Sequence, residues 1–114
     1  MSTSNLLRFK VITPEGIMRE IDNLTAVNVP LVNDYLIGIR PGHAPLIAET
    51  KQGKIICRTR TSEVHLELHG GVLEVENNEV IIFSAGEVTN RTSIHTHPPT
   101  TTYDRLMRTL IGEI

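Results

Sequence analysis

Short runs of Val, Ile, Leu and Thr, broken by glycine and proline, fill most of the chain. The breaks fall at Pro14, Gly16, Pro30, Gly38, Pro41, Gly42, Pro45, Gly53, Gly70 and Gly71. Many short strands separated by turn signals about 8–12 residues apart predict a sandwich or barrel. Three runs show a period of two: Val64, Leu66 and Leu68 alternate with His65, Glu67 and His69; Val27 and Val29 with Ala26 and Asn28; Leu73 and Val75 with Glu74 and Glu76. Each such strand turns one face to the core and the other to water. Asn77-Asn78 separates two apolar runs, and asparagine tolerates positive φ, so the pair predicts a tight hairpin turn. Val80-Ile81-Ile82-Phe83 is unbroken and predicts a strand buried on both faces. Leu6 to Ile12, Ile17 to Ile21 and Lys54 to Arg58 are weaker strand candidates.

The pattern changes near residue 90. Thr92 to Thr102 is rich in threonine, and Pro98-Pro99 blocks both helix and central strand, so it predicts an extended connector. Tyr103, Leu106, Met107, Leu110 and Ile111 then fall at i, i+3, i+4, i+7 and i+8, one apolar stripe on a short helix. Thr101 or Thr102 can cap it. A helix of roughly 10 residues is marginal alone and must dock on something. The expected organisation is a β domain over 1–92, then a connector and amphipathic helix over 93–114.

Composition narrows the function. The 114 residues carry a net charge of -2, which argues against nucleic acid as the main partner. No stretch approaches the roughly 20 apolar residues of a membrane span. Met1 to Asn5 has neither a basic start nor an apolar run, so no signal peptide is expected. A single cysteine, Cys57, excludes an internal disulfide and points to a reducing compartment. There is no tryptophan and aromatics are 4%, which removes the usual stacking platforms.

Few residues suggest chemistry. His95 and His97 would face one side of a strand, but further metal ligands are not close in sequence. His65 and His69 would lie more than about 10 Å apart on one strand, too far for a shared ion. Cys57 follows Ile55-Ile56 and reads as a small buried hydrophobe. Gly70-Gly71 lacks the Lys and Ser/Thr of a phosphate loop and reads as a bulge or a corner between sheets. The least ordinary segment is Gly38-Ile39-Arg40-Pro41-Gly42-His43-Ala44-Pro45-Leu46. Its two prolines and two glycines define either a turn whose shape alone matters or a stiff loop presenting His43 to a partner.

That segment resembles the signature loop of the epsilon subunits of F-type ATP synthases. Val11-Ile12-Thr13-Pro14-Glu15-Gly16, Gly53-Lys54 and Gly70-Gly71-Val72-Leu73-Glu74-Val75 with Asn77-Asn78 and Val80-Ile81-Ile82 resemble further parts of that family in order and spacing. The resemblance implies an all-β fold, a sandwich of two roughly five-stranded sheets with one short C-terminal helix. It implies a non-catalytic central-stalk subunit without a cofactor, coupling the gamma subunit to a proton- or sodium-carrying membrane ring. Such a subunit works peripherally, on the cytoplasmic face of a bacterial inner membrane. It implies a ring-contacting loop with Leu36, Arg40 and His43, and gamma contacts at Thr13, Ala48, His69 and Glu74. The docking sheet face is expected to include the Val64–His69 strand.

Two departures stand out. The family usually has Gly-Glu before its counterpart of Gly38, where this chain has Tyr35-Leu36, so the carboxylate facing the ring is absent. The Asp-x-x-Arg-Ala motif that contacts ATP in many bacterial members is not matched by the spacing of Asp104 and Arg108, so ATP binding is not expected. The shortened end is similar to that of alternate bacterial F-type ATPases. Rival readings are a small β-sandwich module binding a ligand or metal, and a metal-dependent β-barrel enzyme with three or four converging ligands.

Overall fold

The alternating runs become strands in a computed structural model that describes residues 5–88. The strands are β1 Leu7–Thr13, β2 Gly16–Leu24, β3 Ala26–Leu31, β4 Tyr35–Ile39, β5 Leu46–Thr50, β6 Gly53–Arg58, β7 Glu63–Leu68, β8 Gly71–Glu76 and β9 Glu79–Ser84. The helix expected at Tyr103 to Ile111, and His95 and His97, lie outside the described residues.

The strands form one curled sheet in the order β2-β1-β9-β8-β5-β3-β6-β7, with β4 on β3. The β5–β3 link is a single residue pair, Leu31 with Thr50. It divides the sheet into a five-stranded half, β2-β1-β9-β8-β5, and a four-stranded half, β4-β3-β6-β7. The expectation of two roughly five-stranded sheets is met by halves of five and four joined along one edge. All neighbours are antiparallel except β1 and β9, which run parallel from Arg8–Glu79 to Ile12–Phe83.

The core lies between the halves. Phe9 and Val11, Val80 and Ile82, and Leu73 and Val75 point inward from the first half and are buried. Val27, Val29, Ile39, Ile55, Cys57, Leu66 and Leu68 meet them from the second. Burial pushes the Cys57 thiol up to about 12, so it packs as a hydrophobe rather than as a thiolate.

Local chemistry explains the connections. Asn77 and Asn78 have φ of 53° and 62°, the positive values a tight hairpin turn requires, and they join Glu76 to its partner Glu79. Asn33 and Asp34, also at positive φ, turn β3 into β4. Lys51 Nζ reaches Asp34 Oδ1 at 2.6 Å across to the β5–β6 turn. Pro30 has no N–H for the ladder, but its carbonyl accepts from the Lys51 N–H at 3.1 Å. Gly70 and Gly71 form the corner where the chain leaves the four-stranded half for the five-stranded one. Two buried hydroxyls hold that corner: Thr50 Oγ1 accepts from the Gly71 N–H at 2.8 Å, and Ser84 Oγ donates to the His69 carbonyl at 2.9 Å.

One expectation fails. Val80 to Phe83 is not buried on both faces, because Ile81 is half-buried and Phe83 is 40% exposed. The core covers only the Val80 and Ile82 side, and no described element lies over the other.

Candidate docking surfaces

The uncovered side of β9 belongs to a wider apolar face. Reading across the five-stranded half, Glu49 pairs with Val72, Val72 with Phe83, Phe83 with Ile12 and Ile12 with Ile17. Four neighbouring strands thus carry an outward apolar row. A bulge makes it possible: Met18 is an extra residue between Ile17 and Arg19, so it turns inward against the core and leaves Ile17 opposite Ile12. Ile17 is 57% exposed. The next row reads Ile47, Glu74, Ile81, Lys10, Glu20, and Ile47 is 72% exposed. The third is charged: Glu76, Glu79 and Arg8. Lys10 Nζ is 3.1 Å from Glu79 and 4.0 Å from Glu20, and Arg8 meets Asp22 at 3.6 Å. The face therefore grades from apolar at one end to acidic at the other.

The outward face of the four-stranded half is different. Glu63, His65 and Glu67 are exposed on β7, and Glu63 accepts from His65 Nε2 at 2.9 Å and pairs with Arg58 Nε at 3.1 Å. The hydrogen bond from His65, with Arg58 beside it, lowers the pKa of Glu63. Glu63, His65 and Arg58 thus satisfy one another at the surface. Exposed apolar patches on a soluble domain mark contact surfaces far more often than mixed-charge faces do.

The site residues expected from the sequence fall into separate places. Leu36 pairs with Pro30 near the Asn33-Asp34 turn, and Ile39 pairs with Val27 at the other end of β4. At about 3.3 Å per residue, β4 holds Leu36 roughly 10 Å or more from Arg40 and His43 along the strand. The three do not form one loop surface. Tyr35 and Leu36 are 68% and 66% exposed at one end of the sandwich. At the other end, Arg40-Pro41-Gly42-His43 is a turn closed by the His43 N–H on the Arg40 carbonyl at 3.1 Å, with proline second and Gly42 third at φ +87°. That arrangement is a type II turn. His43 Nδ1 lies 2.8 Å from the Ala44 carbonyl, and since a carbonyl only accepts, Nδ1 carries the hydrogen.

Glu74 is on the apolar face, flanked by Ile47 and Ile81. Thr13 closes the β1–β2 turn, its Oγ1 donating to the Gly16 carbonyl at 3.1 Å. Ala48 is half-buried opposite Leu73, on the inward side of β5. His69 follows β7, half-buried, its N–H donating to the Gly86 carbonyl at 3.0 Å. Burial lowers its pKa below the ordinary 6.5, because the interior disfavours the charged ring. The unfolded chain therefore takes up this proton more readily than the folded one. Stability is full above about pH 6.5 and falls as the pH drops through that value. We expect Tm to fall between pH 7.5 and 5.5 and the fall to shrink in His69→Gln. An unchanged pH profile in that variant contradicts the assignment.

Ile17, Ile47, Val72 and Phe83 were not singled out from the sequence. The signal was the unbroken Val80–Phe83 run, since a strand apolar on both faces needs a second cover. A groove of about 480 Å³ lies near the acidic end, lined by Arg8, Asp22, Asn23, Asn77, Asn78 and Glu79 among others. Among the described residues, no three His, Cys, Asp or Glu side chains converge as metal ligands.

This architecture matches known proteins. The family described as ATP synthase, Delta/Epsilon chain, beta-sandwich domain covers residues 6–88. The ATP synthase epsilon chain of Moorella thermoacetica is 34% identical over 79 residues, which are 68% of this chain and 58% of that one. That of Chlorobium limicola is 31% identical over 84 residues, 73% of this chain and 93% of its own length. Against several bacterial relatives the chain spans only 57–58% of their length. In fold it resembles a chain of the Euglena gracilis mitochondrial ATP synthase, with TM-score 0.65 at 13% identity, covering 74% of this chain and 53% of that one. A chain of the Tetrahymena thermophila mitochondrial central stalk and c-ring gives 0.59 at 10%, covering 94% and 90%. With the two signature segments in the corner and loop just described, and the family matched from the first strand to the last, the chain belongs to the delta/epsilon family of ATP synthase chains, whose β-sandwich domain it carries.

Proposed function

We propose that this chain is a non-catalytic subunit of the rotor stalk of a proton- or sodium-translocating F-type ATP synthase. It docks on the gamma subunit with the outward face of the five-stranded half and meets the membrane ring with the Tyr35–Leu36 end. The observation that carries this reading is the apolar row Val72–Phe83–Ile12–Ile17, which none of the described residues covers. The epsilon-chain relatives and the stalk assemblies of similar fold supply its context. The acidic margin at Glu74, Glu76 and Glu79 asks for Lys or Arg on the facing part of gamma. Glu74 is then a gamma contact, while Thr13, Ala48 and His69 lie off this face.

The ring assignment follows from where the exposed side chains are. Tyr35 and Leu36 present apolar surface at a chain turn, suited to the exposed loops of a ring subunit. Arg40 and His43, at the opposite end, would face gamma instead. Torque transmission needs a rigid body gripped at two places, and a continuous curled sheet provides one. The chain works peripherally, on the cytoplasmic face of the membrane, and binds no nucleotide.

Cysteine crosslinking in the assembled complex tests the orientation. We expect Leu36→Cys to crosslink to the ring subunit and His43→Cys to gamma. The reverse pattern overturns the orientation, and crosslinks of neither variant to either subunit overturn the stalk assignment.

A further inference from the structure

The loop 40–45 and the Asn77-Asn78 turn are more than 30 residues apart in sequence, yet one hydrogen bond joins them. The Gly42 N–H donates to Asn78 Oδ1 at 2.7 Å. The Asn78 backbone is itself anchored, because its carbonyl accepts from the Arg8 N–H at 2.9 Å. A side chain fixed to β1 and to the β8–β9 hairpin thus holds the loop that carries His43. The Arg40–His43 turn is otherwise closed by its own backbone bond, from the His43 N–H to the Arg40 carbonyl.

We infer that Asn78 is a positioning residue, which ties the Arg40–His43 turn to the acidic end of the docking face and sets the direction in which His43 meets gamma. This rests on the proposed docking to gamma. The residue type is demanding. Position 78 needs a residue that accepts φ of +62° and offers an acceptor at side-chain reach. Asparagine and aspartate do both, whereas glycine adopts the backbone but has no acceptor. Holding a loop in its bound geometry beforehand lowers the ordering cost of association.

Three variants separate positioning from folding. N78G turns the pair into Asn-Gly, which this type of turn favours, so the hairpin survives while the acceptor is lost. N78D keeps the acceptor. N77G makes the same chemical change one residue earlier, where no bond to the loop is formed. In amide-exchange NMR on the free full chain, the Gly42 amide should exchange at least several-fold faster in N78G and stay near wild type in N77G and N78D. Affinity for the cognate gamma subunit should fall about fivefold in N78G, the scale of one lost hydrogen bond, and be kept in the other two. Unchanged Gly42 exchange in N78G overturns the tie itself. Faster exchange with unchanged gamma affinity overturns the positioning role. If the wild-type chain does not bind gamma, the docking reading and the presentation of His43 both fall, while Gly42 exchange still decides whether Asn78 holds the loop.

Discussion

Gly71→Ala will lower Tm by roughly 15 °C or more, or prevent folding, because a methyl group at this corner has nowhere to go. A Cβ built on Gly71 clashes with the Phe83 carbonyl oxygen and lies 3.2 Å from the Ser84 Cα. Both are backbone atoms of β9, so no side chain can rotate away. The clash is relieved only by parting β8 from β9 where Gly71 pairs with Ser84. That movement also strains the part-buried bonds from the Gly71 N–H to Thr50 Oγ1 and from Ser84 Oγ to the His69 carbonyl. Overpacking a tight site costs about 1–3 kcal/mol, and losing buried hydrogen bonds adds about 1 kcal/mol each. A total near 3 kcal/mol shifts Tm of a domain this size by about 4–8 °C per kcal/mol. Thermal and urea unfolding of the two proteins measure it. Gly16→Ala makes a useful comparison: its methyl group meets nothing within 4 Å, so only its φ of +123° is penalised. Equal losses in the two variants contradict the steric account.

The second large effect concerns binding rather than folding. Ile17→Glu combined with Phe83→Glu should weaken association with gamma at least 100-fold while leaving the domain folded. Both side chains are substantially exposed in the free chain, at 57% and 40%, so their replacement costs about 1 kcal/mol of stability or less. In a complex they would be covered near the centre of the contact, where large apolar anchors contribute about 2 kcal/mol or more each. Burying two carboxylates there adds desolvation, and the nearest cations, Lys10 and Arg8, are already engaged by Glu79, Glu20 and Asp22. The control is Glu63→Ala with Glu67→Ala on β7, the strand first expected to face gamma. Titration by calorimetry should show that pair binding within a few-fold of wild type. Loss of binding on β7 with retention in the Ile17 and Phe83 variant moves the interface to the other half of the sheet.

Most of the fold was legible because this sequence obeys local rules. Strict alternation in Val64–Leu68, Val27–Val29 and Leu73–Val75 placed the core faces correctly, and Asn77-Asn78 announced its turn through positive φ. Gly70-Gly71 marked the corner between halves. The Asn33-Asp34 turn, also of residues that tolerate positive φ, is harder to see because no alternating run follows it: β4 begins with exposed Tyr35 and Leu36. The division into halves was not legible in detail, since a single Leu31–Thr50 pair decides whether the strands make one curled sheet or two.

The site was legible only in part. The loop around His43 stood out by its prolines and glycines, but its distance from Leu36 depends on how β4 runs, which motif spacing does not reveal. The apolar row was hidden for a different reason. An unbroken run such as Val80–Phe83 shows that both faces are apolar, but not whether the second cover is part of the same chain. Phe83 and Ile17 come together only through the parallel β1–β9 pairing and the Met18 bulge, both long-range features.

Docking on gamma through the five-stranded face is read most directly from the footprint of gamma on this chain, mapped by methyl and amide chemical shifts in a titration of the isotope-labelled chain with its cognate gamma subunit. We expect a one-to-one complex with the largest shifts at Ile17, Ile47, Val72, Ile81 and Phe83, extending to Gly42 and His43, and little change at Glu63, His65 and Glu67. A footprint centred on β7, or saturating gamma without a shift on the five-stranded face, contradicts it.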